Sequence, residues 1–258
     1  MQLPFYKYQG TGNDFILIDN RDLRFGKLDV KFLCNPKFGI GADGLMLVQN
    51  KEGYDFEMVY YNSDGNVSTM CGNGGRCIVH FAKFLDVFKG NTTLFWAIDG
   101  EHEALIDGDY VELKMINVDT VENIGKDFSL NTGSPHYIVF DNNISDINLI
   151  EAATKIRYND VYSKEGINVN FIEQLDNETI KVRTYERGVE NETFSCGTGV
   201  TAAAIAYKIH ANLKSSHYSI NIETIGGDLK VKFKGETDFH DIWLCGPAVQ
   251  VFLGIINI

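Results

Sequence analysis

Basic charge is scarce in this chain. Its 23 lysines and arginines are outnumbered by 35 aspartates and glutamates, for a formal net charge of −12 at pH 7. A nucleic acid or an anionic membrane surface demands a basic face, so neither is expected as a partner. Long apolar runs are missing as well. None approaches the ~18 residues of a membrane span, and Met1-Gln2-Leu3-Pro4-Phe5-Tyr6-Lys7 has no apolar core of signal-peptide length, which makes a cytoplasmic location the expectation. The five cysteines (34, 71, 77, 196 and 245) are odd in number and lack the close, regular spacing of a disulfide framework or a zinc ribbon. Reduced thiols follow. There is no GxxxxGK[ST] phosphate loop, no βαβ alternation opened by a GxGxxG turn, no low-complexity tract and no long linker.

What is present begins with length: 258 residues, 44% hydrophobic and 22% charged, fit two domains of about 120 residues, each with a core of its own. Two stretches organise the chain, Cys71-Gly72-Asn73-Gly74-Gly75-Arg76-Cys77 and Cys196-Gly197-Thr198-Gly199. Each opens a helix that reads as apolar on nearly every side, and such helices belong inside a domain. Strand signals surround them. Residues 5–9 and 15–19 form a hairpin around Gly10-Thr11-Gly12-Asn13-Asp14. A short helix near 29–35 leads through the Gly39–Gly44 loop to strands near 45–49 and 54–61, and strands near 93–98, 101–106 and 110–116 follow the first helix. After a boundary near 117–130 the order repeats. A strand at 137–140, a helix over 147–157 capped by Ser145 or Asp146, and strands at 169–175 and 179–185 lead to the second helix, with strands near 218–223, 228–234 and 241–244 after it. The class is α+β, not doubly wound.

A cysteine just ahead of a glycine-rich helix start faces unpaired backbone N–H groups and the positive end of the helix dipole, which bind anions and favour thiolate. Two such thiols, acting on opposite faces of one substrate carbon, can remove a proton and return one. The N–H groups of Gly72, Asn73, Gly197 and Thr198 would hold a carboxylate attached to that carbon and steady the charge that develops. The alternative reading is two buried core cysteines. Cys71 and Cys77 lie six apart on one helix and point to different faces, so no metal clip is expected there.

Together with Gly10-Thr11-Gly12-Asn13-Asp14-Phe15, Asn62-Ser63-Asp64-Gly65 and Glu186-Arg187-Gly188, the two cysteine blocks make the chain resemble diaminopimelate epimerases over nearly its whole length. The resemblance implies two pseudo-symmetric domains, each a mostly antiparallel, barrel-like sheet wrapped around a central helix. One, 1–117 with a C-terminal return at about 249–258, carries Cys71; the other, 118–248, carries Cys196. It implies an epimerase that interconverts LL- and meso-2,6-diaminopimelate without pyridoxal phosphate or metal, on the lysine and peptidoglycan precursor route, and a homodimer. Carried over by position, Cys71 and Cys196 are the catalytic pair, and Gly72, Asn73, Gly197 and Thr198 the α-carboxylate cradle. Glu186 meets the α-ammonium group. Asn62, Asn168 and Arg187 read the distal end, Asn13 is a further substrate contact, and His136 tunes the cysteines or shapes the pocket. Two positions depart from the pattern: Ser134 stands where asparagine is common, and Gly44 where some members have a side chain that touches substrate. Cys34, Cys77 and Cys245 read as core. The rival readings are a proline racemase-like enzyme, a thiol redox protein and an amino acid binding protein.

Overall fold

In the computed structural model, which describes residues 1–68 and 70–258, the chain opens with an antiparallel pair, β1 (Gln2–Gly10), which largely alternates between buried and half-buried residues, and β2 (Asn13–Asp19), buried throughout Phe15 to Ile18. Only Thr11 and Gly12 join the strands, both with positive φ (49° and 85°), the geometry whose twist matches a two-residue hairpin. The connection is tighter than the five-residue turn read from the sequence. α1 (Val30–Leu33) is capped by the Asp29 carboxylate, which accepts from the Phe32 N–H. It carries the chain across to β3 (Gly44–Gln49), parallel to β2, and β4 (Phe56–Asn62) turns back against β3. α2 (Gly72–Phe84) makes the next crossover, to β5 (Thr92–Ala97), parallel to β4, and β6 (Gly100–Asp107) and β7 (Tyr110–Lys114) complete a meander.

The second half repeats this pattern of pairings. β8 (Val121–Ile124), β9 (Asp127–Asn131) and β10 (Pro135–Phe140) are antiparallel neighbours, and α3 (Leu149–Arg157) crosses to β11 (Asn168–Gln174), parallel to β10. β12 (Thr179–Glu186) returns against β11, and the short β13 (Asn191–Thr193) precedes α4 (Gly197–His210). That helix crosses to β14 (Tyr218–Thr224), parallel to β12, and β15 (Gly227–Lys234) and β16 (His240–Pro247) follow antiparallel. β17 (Val249–Asn257) lies antiparallel on β1. The chain divides into two compact units, Met1–Leu113 with Gly246–Ile258 (unit 1) and Lys114–Cys245 (unit 2).

The class is α+β with mostly antiparallel strands, as the hairpin signals imply, and each unit also has two parallel pairs. These arise wherever a helix intervenes, because parallel strands need a long crossover. In unit 2, α4 packs against β9, β10, β11, β12, β14 and β15. Six strands at about 4.8 Å spacing would span roughly 24 Å if flat, against a helix diameter of about 10 Å, so the sheet curls around the helix. α2 likewise meets β1, β2, β3 and β6 in unit 1.

α4 is buried from Val200 through Lys208, and its run of alanines lets strands approach from all sides. α3 covers the opposite face of the same sheet, over Val169, Phe171 and Tyr185. Burial on both faces explains why Asn168 to Ile172 of β11 are buried one after another and do not alternate. Each fully buried valine or isoleucine there contributes about 1.5–3 kcal/mol.

Three sequence expectations need correction. α2 is not apolar on nearly every side: His80 is half-buried and Phe84 exposed, because this helix leaves one flank of its last turns uncovered. The second-half helix starts at Leu149, capped by Asn148 and not by Ser145 or Asp146, which sit in a 3-10 turn at Ile144–Asp146. Residues 117–130 are not a plain connection, since they hold the β8–β9 hairpin around Gly125 (φ 67°).

Candidate active site

Each unit holds one cysteine at the N-cap of its central helix. Cys71 (φ −104°, ψ 130°) and Cys196 (φ −126°, ψ 114°) are extended, while the glycines after them enter the helix. Neither cysteine makes a side-chain cap hydrogen bond to the first-turn backbone of its helix.

In unit 1, Asn13 and Cys71 come together. The Cys71 Sγ lies 3.7 Å from Asn13 Oδ1, and the Asn13 amide is oriented by donating through Nδ2 to Asp43 Oδ2 at 2.5 Å. Asp43 also accepts from the Asp14 N–H, and Asp14 pairs with Lys7 at 2.7 Å. Asn62, exposed at the end of β4, stands opposite Gly44 in the ladder, and its neighbour Ser63 donates its N–H to the Asp43 carbonyl. A Cβ on Gly44 would lie 2.5 Å from the Tyr60 ring and 2.7 Å from the Tyr61 carbonyl oxygen, so packing demands glycine there. Asn73 is buried; its Oδ1 accepts from Arg76 Nη2 at 3.2 Å and from the Thr11 hydroxyl at 3.4 Å. Arg76 is fully buried and also donates to the Gly72 and Pro247 carbonyls. It holds the Asn73 side chain in place.

In unit 2 the support is different. A chain of hydrogen bonds runs from Thr184 Oγ1 to Asn170 Oδ1 (2.9 Å), from Asn170 Nδ2 to His136 Nδ1 (3.0 Å) and from His136 Nε2 to Thr198 Oγ1 (2.9 Å). It ends with Thr198 Oγ1 3.5 Å from Cys196 Sγ. Burial, with the Arg187 charge adding to it, pushes His136 down to about 3, so its ring is neutral near pH 7. Thr132 holds the same residue from the other side, donating its hydroxyl to the Thr198 carbonyl. Asn168 is buried and spends its amide within the unit, donating to Ser134 Oγ and the Pro135 carbonyl and accepting from the Arg187 N–H at 2.9 Å. Ser134 thus reaches Asn168. Arg187 itself is exposed, with one donor on the Glu165 carbonyl, and half-buried Glu186 precedes it at the end of β12.

The other cysteines are packing residues. Burial pushes Cys77 up to about 12 in spite of the neighbouring Arg76 charge, and Cys34 up to about 12 as well; Cys245 is fully buried. Among the described residues, no group of three or more His, Cys, Asp or Glu side chains is arranged to hold a metal ion.

Sequence reasoning missed Asp43, Arg76, Asn170 and Thr184. A signal existed for Asn170, because it follows Asn168 by two in a strand and so shares its face, yet it sits in the otherwise apolar run Val169-Asn170-Phe171-Ile172. A polar residue there needs a buried partner.

The fold is shared with an isomerase-bearing class of proteins. A phenazine biosynthesis protein of the PhzF family from Bacillus anthracis superposes with a TM-score of 0.79 at 13% identity over 100% of both chains. A hydroxyproline epimerase from Agrobacterium vitis superposes with a TM-score of 0.70 at 12% identity, covering 99% of this chain and 92% of that one. Sequence narrows the class. The diaminopimelate epimerase family model matches residues 5–118 and 128–251, and a diaminopimelate epimerase of Flavobacterium psychrophilum is 51% identical over 255 residues, 97% of this chain and 98% of that one. The chain belongs to the diaminopimelate epimerase family, and it is an isomerase.

Proposed function

We propose that the protein interconverts LL- and meso-2,6-diaminopimelate by proton transfer between two cysteines, with no cofactor, in the biosynthesis of lysine and peptidoglycan precursors. The 51% identity to a relative named diaminopimelate epimerase carries this reading. Two cysteines at helix N-caps supply the chemistry.

One thiolate takes the α-proton, and the electron pair left on the α-carbon delocalises into the attached carboxylate. A thiol on the opposite face then delivers its proton to that carbon. The stereocentre inverts, and the two sulfurs exchange protonation states. The N–H groups of Gly72, Asn73, Gly197 and Thr198 take the carboxylate, whose charge grows in the transition state, and preorganised donors of this kind are worth several kcal/mol. Glu186 meets the α-ammonium group, and Arg187 the distal carboxylate. Asn13 and Asn62 contact substrate from unit 1. Asn168 acts by presenting Arg187, since its amide already bonds the Arg187 N–H.

The protein acts in the cytoplasm as a homodimer. Among the described residues, no helix is long and apolar enough to cross a membrane. β17 carries Val251, Leu253 and Ile255 at alternate positions, 55%, 62% and 64% exposed, an apolar stripe of the kind that marks an interface between copies.

The test is NMR of LL-diaminopimelate with reduced protein in D2O, without added pyridoxal phosphate or metal. Deuterium at the α-carbon with meso product is the expected result. Absence of exchange overturns the assignment, and exchange on free proline would move it to a proline racemase-like enzyme.

A further inference from the structure

The two cysteines face hydrogen-bond partners of opposite polarity. In unit 2 the polarity can be traced atom by atom. Asn170 Nδ2 lies 3.4 Å from the Tyr137 carbonyl oxygen, which only accepts, and Thr184 closes the other side of the amide at Oδ1. The amide nitrogen is therefore the atom that faces His136 Nδ1, and it donates there. A neutral ring that accepts at Nδ1 carries its proton on Nε2. That proton goes to Thr198 Oγ1, which must direct its own hydroxyl proton elsewhere. Among the described residues, the acceptor in reach of it is Cys196 Sγ.

In unit 1 the polarity is reversed. Asp43 accepts from the Asn13 amide nitrogen, so the atom turned to Cys71 Sγ is the carbonyl oxygen, an acceptor. A donor beside sulfur favours thiolate, and an acceptor favours thiol.

We infer that Asn170 is a positioning residue that, by fixing the His136 tautomer and through it the Thr198 hydroxyl, makes Cys196 the resting thiolate, while Asn13 keeps Cys71 the resting thiol. This deepens the two-cysteine reading of the site and rests on it for its catalytic meaning. The charged groups on the segments near each thiol are mixed in sign. Arg76 lies on the helix of Cys71, and Asp43 and Asp14 lie on the segments that hold Asn13, with Lys7 pairing Asp14. Around Cys196, Glu186 and Arg187 are adjacent and opposite in sign, and His136 is neutral. The helix dipole acts equally on both thiols.

The test uses the substrate-free protein, so its outcome is independent of which substrate is turned over. Each cysteine is alkylated with iodoacetamide across pH 5–10 and followed by peptide mass spectrometry. Burial slows alkylation but leaves the pH midpoint to report thiolate formation. Cys196 is expected to titrate below Cys71. Thr198→Val should slow Cys196 alkylation at pH 7 about tenfold, and Thr198→Ser should restore it. Asn170→Leu should shift the Cys196 midpoint upward in the same direction and leave Cys71 unmoved; if that variant does not fold, the Thr198 pair carries the test. Asn13→Ala should shift the Cys71 midpoint downward. A Cys71 midpoint below that of Cys196, or a Cys196 profile indifferent to Thr198→Val, overturns the inference.

Discussion

The two units place the same parts under their central helices and fill them with different chemistry. Ladder register aligns them: Phe15 faces Gly44 and Met46 faces Tyr60 in unit 1, where His136 faces Asn168 and Asn170 faces Thr184 in unit 2. The floor beneath the first cysteine helix is thus Phe15, Met46 and Tyr60, and beneath the second it is His136, Asn170 and Thr184. On the helices, Arg76 of α2 corresponds to Thr201 of α4, whose hydroxyl folds back onto the Gly197 carbonyl at 2.9 Å. In unit 1 a cation on the helix holds Asn73; in unit 2 a neutral chain rising from the sheet holds Thr198. A backbone pattern can be duplicated while the polarity delivered to its thiol is not.

The sharpest way to break the comparison is to remove the thiols. Cys71→Ala and Cys196→Ala should each lower isomerisation by about 10³-fold or more, because each direction needs one base and one acid. Coupled or NMR assays of both directions check this, and full activity in both single variants ends the two-thiol mechanism. Next comes the buried cation. Arg76→Met removes the donor shared by Asn73, Gly72, Thr11 and Pro247 and should cost about 3 kcal/mol in urea unfolding, whereas Thr201→Val, its counterpart, should cost about 1 kcal/mol or less.

The third test compares the floors directly. A Cβ on Gly74 would meet the Met46 terminal methyl at 2.2 Å, and one on Gly199 would meet Asn170 Oδ1 at 2.5 Å and Cys196 Cβ at 3.2 Å. A methionine end can rotate away, but Asn170 is held by Thr184 and His136. Gly199→Ala should therefore lose about 2 kcal/mol and Gly74→Ala about 1 kcal/mol or less. Equal losses would show that the polar floor yields as easily as the apolar one.

The smallest effect is on the acid side. His136 has its folded pKa pushed down to about 3 from an ordinary value of 6.5, so between those values the unfolded chain binds the extra proton. Its contribution to stability is complete above about pH 6.5 and is lost as pH falls toward 3. The urea midpoints of the protein and of His136→Gln should converge as pH is lowered from 7 to 4. A difference that does not change with pH would mean that the ring takes up its proton in the fold at the same pH as in the unfolded chain.

Much of this was legible in the residues. The first hairpin, though not its two-residue turn, and the helices opened by Cys71 and Cys196 follow from local rules of turn chemistry and capping. The β8–β9 hairpin was hidden because Val121–Asn131 is polar and short, and its strands carry few buried residues. The Asn148 cap was missed because Ser145 and Asp146 are equally good caps by type, and only the path into the helix decides among them. That Cys71 and Cys196 open helices was readable from spacing, but the residues packed around them were not. Asp43, Asn170 and Thr184 lie 30, 26 and 12 positions from Asn13, Cys196 and Cys196, and act only after strands have paired.

By itself the sequence determined two repeats of strands around a helix, a thiol at the start of each helix, and membership in one family, because periodicity, capping and motif order are local properties of the chain. Tertiary structure decided which way each thiol's neighbours point. Hydrogen-bond polarity depends on what lies at the far end of a side chain. For Asn13 that is Asp43, and for His136 it is an amide on the neighbouring strand, partners that only folding brings within 3 Å.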